Sequence, residues 1–168
     1  MDIALLLVRV VIGLGFAAHG AQKLFGWFGG YGIAGTGGYF ESTLGFKPGA
    51  FFAAASGFAE LAGGLLLALG LFGPVGPMFV VAVMLTAMLT AHKGWFAPSG
   101  IELPVAYSAV AVLVAIAGPG AYSLDAALGL GAIWTTSLSW SALGLGVLGG
   151  LANAALRRKP VATQQPQA

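Results

Sequence analysis

Apolar residues occur in long runs along this chain, separated by short segments rich in glycine, proline and aromatic residues. The runs cover residues 3–21, 51–72, 75–91 and 103–117, with a further candidate at 140–156. A helix of about 20 apolar residues crosses the hydrocarbon core of a bilayer. The pattern therefore predicts an all-α polytopic membrane protein, a four-helix bundle with a candidate fifth membrane helix at the C-terminal end.

The connections between the runs predict the domain organisation. Residues 22–50 interleave glycines with aromatic side chains, which favour the membrane interface, so we expect this segment to cap the bundle with a short helix around residues 39–44. We predict a membrane domain over 1–128, a hydrophobic extension over 129–159 that forms a fifth span or lies on the bundle, and a disordered polar tail over 160–168.

Small residues recur every four positions in the first and last runs, and such stripes let neighbouring membrane helices approach closely. The stripes are Gly13, Ala17 and Ala21 in the first run and Ala142, Gly146, Gly150 and Ala154 in the last. The last run also contains a GxGxxG match at residues 144–149. No strand precedes it, so it indicates helix packing and not dinucleotide binding.

Glu60 lies near the middle of the second run, and Arg9 lies inside the first. An ionised side chain at membrane depth costs at least about 2.5 kcal/mol, so such groups face other helices and have partners or functions. We predict Arg9 as the counter-charge of Glu60. The pair either fixes the register of the helices or serves a proton relay or ligand site.

Alternating the direction of successive spans brings further polar residues to one membrane face. These residues are His19, Lys23, Lys47, His92, Lys93 and Glu102. They form the rim of a predicted polar funnel whose floor holds Glu60 and Arg9. The candidate catalytic residues are Glu60, His19 and His92, and the candidate substrate-binding residues are Arg9, Lys23, Lys93 and Glu102. The two histidines are either interfacial structural residues or groups that bond a quinone carbonyl. No zinc or iron ligand spacing accompanies them, so we predict no metal site.

The composition narrows the classes of function. The 168 residues are 58% hydrophobic and 7% charged, against about 25% charged in an ordinary soluble domain. This excludes a soluble catalytic domain, and a net charge of +2 from few residues argues against nucleic-acid binding. Cysteine is absent, which excludes thiol redox chemistry and iron–sulfur ligation by this chain.

Several motifs, in order, resemble the DoxX family of small bacterial membrane proteins over residues 5–128. They are the Arg9 span leading into residues 19–26 (HGAQKLFG), residues 57–64 (GFAELAGG), residues 92–96 (HKGWF), Glu102-Leu103-Pro104 and residues 117–125 (AGPGAYSLD). The resemblance implies a four-helix membrane bundle with a redox association, similar to the membrane subunit of thiosulfate:quinone oxidoreductase.

Three hypotheses of function follow. The first is a redox-associated component of the bacterial cytoplasmic (inner) membrane whose funnel receives a quinone headgroup or small sulfur substrate, with no covalently bound cofactor and with a redox partner subunit. The second is a transporter of a proton or small solute, and the third is an anchor for a partner enzyme or a homo-oligomer. With five spans the lysines and arginines of the loops share one face, which predicts a funnel open to the cytoplasm. With four spans they divide equally between the faces and predict no orientation.

Overall fold

The computed structural model describes residues 2–96 and 99–158 and consists of helices joined by short turns. The seven α-helices are α1 Asp2–Phe25, α2 Gly32–Tyr39, α3 Gly49–Leu69, α4 Val75–Thr90, α5 Glu102–Ala117, α6 Leu124–Ala127 and α7 Thr136–Ala155. No strand occurs within the described residues. The predicted all-α class is confirmed, and the predicted tail over 160–168 lies outside the described residues.

Three of the helices, α1, α3 and α7, are long and apolar enough to cross a membrane, whereas α4 and α5 are apolar but have 16 residues each. At 1.5 Å per residue, 16 residues extend about 24 Å, which is less than a hydrocarbon core of about 30 Å. The fourth span begins at Glu102, one residue before its predicted start at Leu103.

Large apolar side chains cover the outer faces of the bundle. Examples are Val11, Phe58 and Leu148, which are 68%, 62% and 64% exposed. Exposed apolar surface of this extent is costly in water and favourable in lipid. The interior is held together by a smaller apolar cluster that includes Phe16, Leu67, Val80, Ala111 and Leu143.

Helices α1 and α3 run antiparallel and touch through glycines. A Cβ added at Gly20 would lie 2.4 Å from the Leu61 nitrogen, and one added at Gly64 would lie 2.4 Å from the Ala17 nitrogen. The predicted stripe of the first span is therefore a packing surface, and Gly20 extends it. Close backbone contact fixes the register that brings the end of α1 beside the middle of α3.

The segment between α1 and α3 is more helical than the sequence indicates. The predicted short helix at residues 39–44 corresponds to a π-helical segment, Phe40–Leu44, that directly continues α2. Gly37 of α2 lies against the start of α3, since a Cβ there would be 2.9 Å from the Ala50 nitrogen. This contact holds the segment over one end of the bundle, as a cap.

Helix α7 packs along α4 through Gly146 and Gly150, whose added Cβ atoms would lie 2.7 Å from the carbonyl oxygens of Met78 and Ala82. Its last turn reaches the end of the bundle that carries the cap, where the Arg158 nitrogen donates to the Gly45 oxygen at 2.8 Å. Helix α7 therefore runs the full length of the bundle beside α4.

Candidate functional site

A cavity of about 510 Å³ lies in the half of the bundle beneath the cap formed by α2 and its π-helical continuation. Helices α1, α3, α4, α5 and α7 all contribute to its wall. The lining is mostly apolar and strongly aromatic, and its rings are Phe16, Tyr39, Phe40, Phe46, Phe52, Phe79 and Tyr107. Such a wall suits a flat ligand with a large apolar surface and a few polar atoms.

Four of the predicted site residues line this cavity, namely His19, Lys23, Glu60 and His92. They come from α1, α3 and the segment after α4, so the alternating directions of the helices bring them together. The funnel inferred from the sequence corresponds to this cavity in position. The structure assigns no chemical role to these residues, and their predicted catalytic and binding roles stay predictions.

Glu60 is paired with Lys23. The Lys23 Nζ donates to Glu60 Oε1 and lies 3.4 Å from the Ser56 hydroxyl. Glu60 itself is 2% exposed, whereas Lys23 at the end of α1 is partly exposed. The approach depends on Gly57, where an added Cβ would lie 2.8 Å from the Leu24 side chain. The second carboxylate oxygen, Oε2, is buried and has no hydrogen-bond partner among the residues that the structure describes.

The two histidines are each oriented by a neighbour. His92 Nδ1 lies 2.8 Å from the Gly100 oxygen, and His19 Nδ1 lies 3.1 Å from Gln22 Oε1. A carbonyl oxygen only accepts, so Nδ1 donates in both contacts. In the neutral ring, Nε2 is then left as an acceptor.

Arg9 is not the counter-charge of Glu60, and that prediction is wrong. Arg9 is 1% exposed, does not line the cavity, and donates from Nη2 to the Tyr122 oxygen at 2.7 Å. In the α1–α3 register, Glu60 lies near Ala21, twelve residues from Arg9, which is about 18 Å along the helix axis. Position along an apolar run predicts the depth of a residue only roughly, whereas the glycine contacts decide the register.

Arg9 belongs to a second buried polar cluster at the opposite end of the bundle. Asp125 is completely buried and accepts from the nitrogens of Phe72 at 2.9 Å and Gly73 at 2.6 Å. Phe72 has a left-handed backbone, with φ 59°. The carboxylate holds this unusual turn between α3 and α4, and Arg9 lies near enough to interact with its charge.

Lys93 and Glu102 do not line the cavity. The side chain of Lys93 is exposed in the connection after α4, and its backbone nitrogen donates to the Ser99 oxygen at 2.8 Å. Glu102 opens α5, and its neighbours Leu103 and Pro104 contribute to the wall instead. Both residues lie at the correct end of the bundle but outside the cavity.

Sequence reasoning missed several polar residues of the lining, among them Ser56, Tyr107 and Asn153. Ser56 precedes Glu60 by one helical turn, a spacing that could have identified it. Asn153 is the one amide side chain of α7, and its Nδ2 lies 3.4 Å from the Thr86 hydroxyl. The position of Tyr107 in the sequence did not predict that its side chain lines the cavity.

No group of three or more histidine, aspartate or glutamate side chains within 2–96 and 99–158 is arranged to hold a metal ion. The titratable residues of the cavity wall, which are Lys23, Glu60, Tyr107 and the two histidines, can take part in hydrogen bonding and proton transfer.

Comparison with known proteins identifies the family. The DoxX family model matches residues 4–93, which extend from the start of α1 to the end of α4 and include all four predicted residues that line the cavity. No curated protein and no solved structure matches the chain. The helices α5 to α7 lie beyond the matched residues. Since the match covers more than half of an all-helical chain with several membrane-length helices, this multi-pass membrane protein belongs to the DoxX family.

Proposed function

We propose that this protein is a redox-associated component of the bacterial inner membrane and that its cavity binds the ring of a quinone. One observation carries the proposal: a mostly apolar cavity of about 510 Å³, rich in aromatic rings, contains in its wall a Lys23–Glu60 ion pair with a buried carboxylate and two oriented histidines. A quinone ring is flat and apolar, with polar oxygens at opposite ends. The flat ring matches the aromatic residues of the wall, and the oxygens match its polar residues.

The size of the cavity supports this assignment. Ligand pockets commonly measure about 300–1,000 Å³, and 510 Å³ accommodates a substituted ring and the first part of an apolar tail. Ring contacts with Tyr39, Phe40, Phe46 and Phe52 would supply stacking surface. The remainder of the tail would stay in the surrounding lipid.

The polar residues of the wall would position the ring and handle protons. Lys23 would donate to a ring oxygen while keeping its contact with Glu60, and the Nε2 atoms of His19 and His92 would accept or deliver protons. A bound quinone supplies two-electron, two-proton chemistry. A separate redox subunit would supply the electrons.

The packing favours a binding site over a transport path. Below Phe16 the interior is filled by side chains such as Leu67, Val80 and Val114, which are 1%, 0% and 3% exposed. A path for a solute would have to pass through this cluster. A role as an anchor alone would not require an ion pair in the wall of a cavity.

The test is binding and turnover by the intact protein. We expect the purified protein, in nanodiscs of phosphatidylethanolamine and phosphatidylglycerol, to bind decylubiquinone or its hydroquinone. We also expect quinone-dependent electron transfer in membranes to be lost on Glu60→Gln. The matched control is Lys47→Gln, since Lys47 is exposed at the same end and does not line the cavity. A protein that binds neither form and changes no redox rate would rule the proposal out.

A further inference from the structure

Glu60 presents an acceptor that no group within residues 2–96 and 99–158 satisfies. Its Oε1 atom is bonded to Lys23, whereas Oε2 is buried without a hydrogen-bond partner. The side chain is 2% exposed, and the residue lines the cavity. A buried ionised oxygen that lacks a partner is strongly unfavourable. A ligand that donates a hydrogen bond to this oxygen would remove that penalty on binding.

Besides Glu60 Oε2, two further atoms of the cavity wall only accept. The Nδ1 atoms of His19 and His92 are occupied by Gln22 and Gly100, so each neutral ring offers only the lone pair of Nε2. The ammonium group of Lys23 is engaged by Glu60 and Ser56 and keeps one N–H, which can donate to a carbonyl oxygen or to a hydroxyl oxygen alike. The hydroxyls of Ser56 and Tyr107 can donate or accept, so they do not favour one redox form of a quinone.

The atoms that only accept distinguish the two forms of a quinone. The oxidised ring carries carbonyl oxygens, which only accept, so that a carbonyl opposite Glu60 Oε2 would place two electron-rich oxygens together. The hydroquinone carries a hydroxyl donor at each end of the ring. We infer that the cavity binds the hydroquinone in preference to the quinone, with one ring hydroxyl donating to Glu60 Oε2. This inference rests on the proposed function, and it assigns the redox form of the ligand.

The two forms can be compared directly in quinone-free nanodiscs. Decylubiquinol and decylubiquinone are titrated under argon, with partition into empty nanodiscs subtracted. We expect the wild-type protein to bind the hydroquinone at least about tenfold more tightly, the effect of one hydrogen bond to a charged group.

The Glu60→Gln variant reverses the donor pattern without changing the shape of the side chain. Its amide oxygen can keep the contact with Lys23, which places the amide NH₂ where Oε2 was. We expect this variant to lose the preference for the hydroquinone and to bind the quinone at least as well. The control is Asp2→Asn, the same acid-to-amide change at an exposed residue outside the cavity, which should keep the wild-type ratio.

The outcomes distinguish a failure of this inference from a failure of the proposed function. Equal affinities, or tighter binding of the quinone by the wild-type protein, would overturn the inference while leaving quinone binding intact. A folded Glu60→Gln protein that keeps the tenfold preference would overturn it as well. Absence of binding by both forms would remove the inference together with the proposed function. If Glu60→Gln does not fold, the ratio of the wild-type affinities for the hydroquinone and the quinone decides whether the inference holds.

Discussion

At the scale of single residues, the buried charges of Glu60, Asp125 and Arg9 each have at least one partner from a distant part of the sequence. Glu60 is paired with Lys23, Asp125 accepts from the backbone of Phe72 and Gly73, and Arg9 donates to Tyr122. Membrane burial makes an uncompensated charge costly. The partners are therefore as important to the fold as the charged residues themselves.

The Lys23–Glu60 pair allows a test that separates a structural from a functional role. Lys23→Met leaves a buried carboxylate without its partner and should lower the free energy of unfolding by about 3 kcal/mol. The double variant Lys23→Met, Glu60→Gln removes both charges and should recover most of that loss. Thermal unfolding in detergent micelles measures both. A role limited to helix register predicts that the double variant also keeps quinone binding, whereas we expect it to lose binding.

Asp125 should be important for stability at the end of the bundle away from the cavity. Asp125→Ala removes two hydrogen bonds to the turn at Phe72 and Gly73, and we expect a loss of about 2–4 kcal/mol in unfolding free energy. The control is Asp2→Ala, whose exposed carboxylate accepts a single 3.2 Å bond from Ala121. That change should cost less than about 1 kcal/mol. Equal effects of the two substitutions would contradict the assigned role.

At the scale of helices, glycines decide which surfaces meet. Gly13, Gly20, Gly57 and Gly64 let the backbones of α1 and α3 touch, and Gly146 and Gly150 do the same for α7 on α4. Lipid provides no hydrophobic driving force for helix association, so close van der Waals packing takes its place. The position of a glycine relative to the neighbouring helix therefore matters more than its presence in a stripe.

Two glycine-to-alanine substitutions make this point measurable. At Gly64 the new Cβ would lie 2.4 Å from the Ala17 nitrogen, so α1 and α3 would have to separate, and we expect a destabilisation of more than about 2 kcal/mol. At Gly144 nothing lies within 4 Å, and alanine should stabilise the helix by up to about 1 kcal/mol. Unfolding of the two variants in the same detergent gives the comparison. Similar stabilities would contradict the α1–α3 register.

At the scale of the whole molecule, five helices alternate in direction and gather the loop cations at one end. The cap, the connection after α4 and the end of α7 contain Lys47, Lys93, Arg157 and Arg158, and Lys23 lies at the end of α1. The connections at the other end, residues 70–74 and 118–135, contain no lysine or arginine. By the positive-inside rule, we propose that α7 is a fifth span and that the cavity lies in the cytoplasmic half of the bundle.

The absence of cysteine makes this orientation simple to test. Single cysteines replace Thr43 and Arg157 at the end with the cap and Ala132 at the opposite end, all at exposed positions. In spheroplasts, we expect a membrane-impermeant maleimide to label only Ala132→Cys, and the other two to react after lysis. Labelling of Thr43→Cys and Arg157→Cys from different sides would mean that α7 does not cross the membrane.

The residues of the cavity were only partly predictable. His19, Lys23, Glu60 and His92 could be found because alternating span directions assign each residue to a face, and polar residues are rare in membrane helices. Ser56 could have been found from its position one helical turn before Glu60, whereas Tyr107 and Asn153 could not be separated from other tolerated polar side chains. Lys93 and Glu102 were assigned to the correct end, but periodicity carries no information about which side chains of a loop turn inward.

The sequence by itself determined the approximate limits of the four apolar runs that form α1, α3, α4 and α5, because an apolar run of membrane length has no other stable arrangement in lipid. It also determined that Glu60 needs a partner. Only the tertiary structure decided that this partner is Lys23 and that Arg9 lies near Asp125 at the far end. The reason is that helix register depends on close contacts at Gly20, Gly57 and Gly64, and the register decides which side chain of α1 lies beside Glu60.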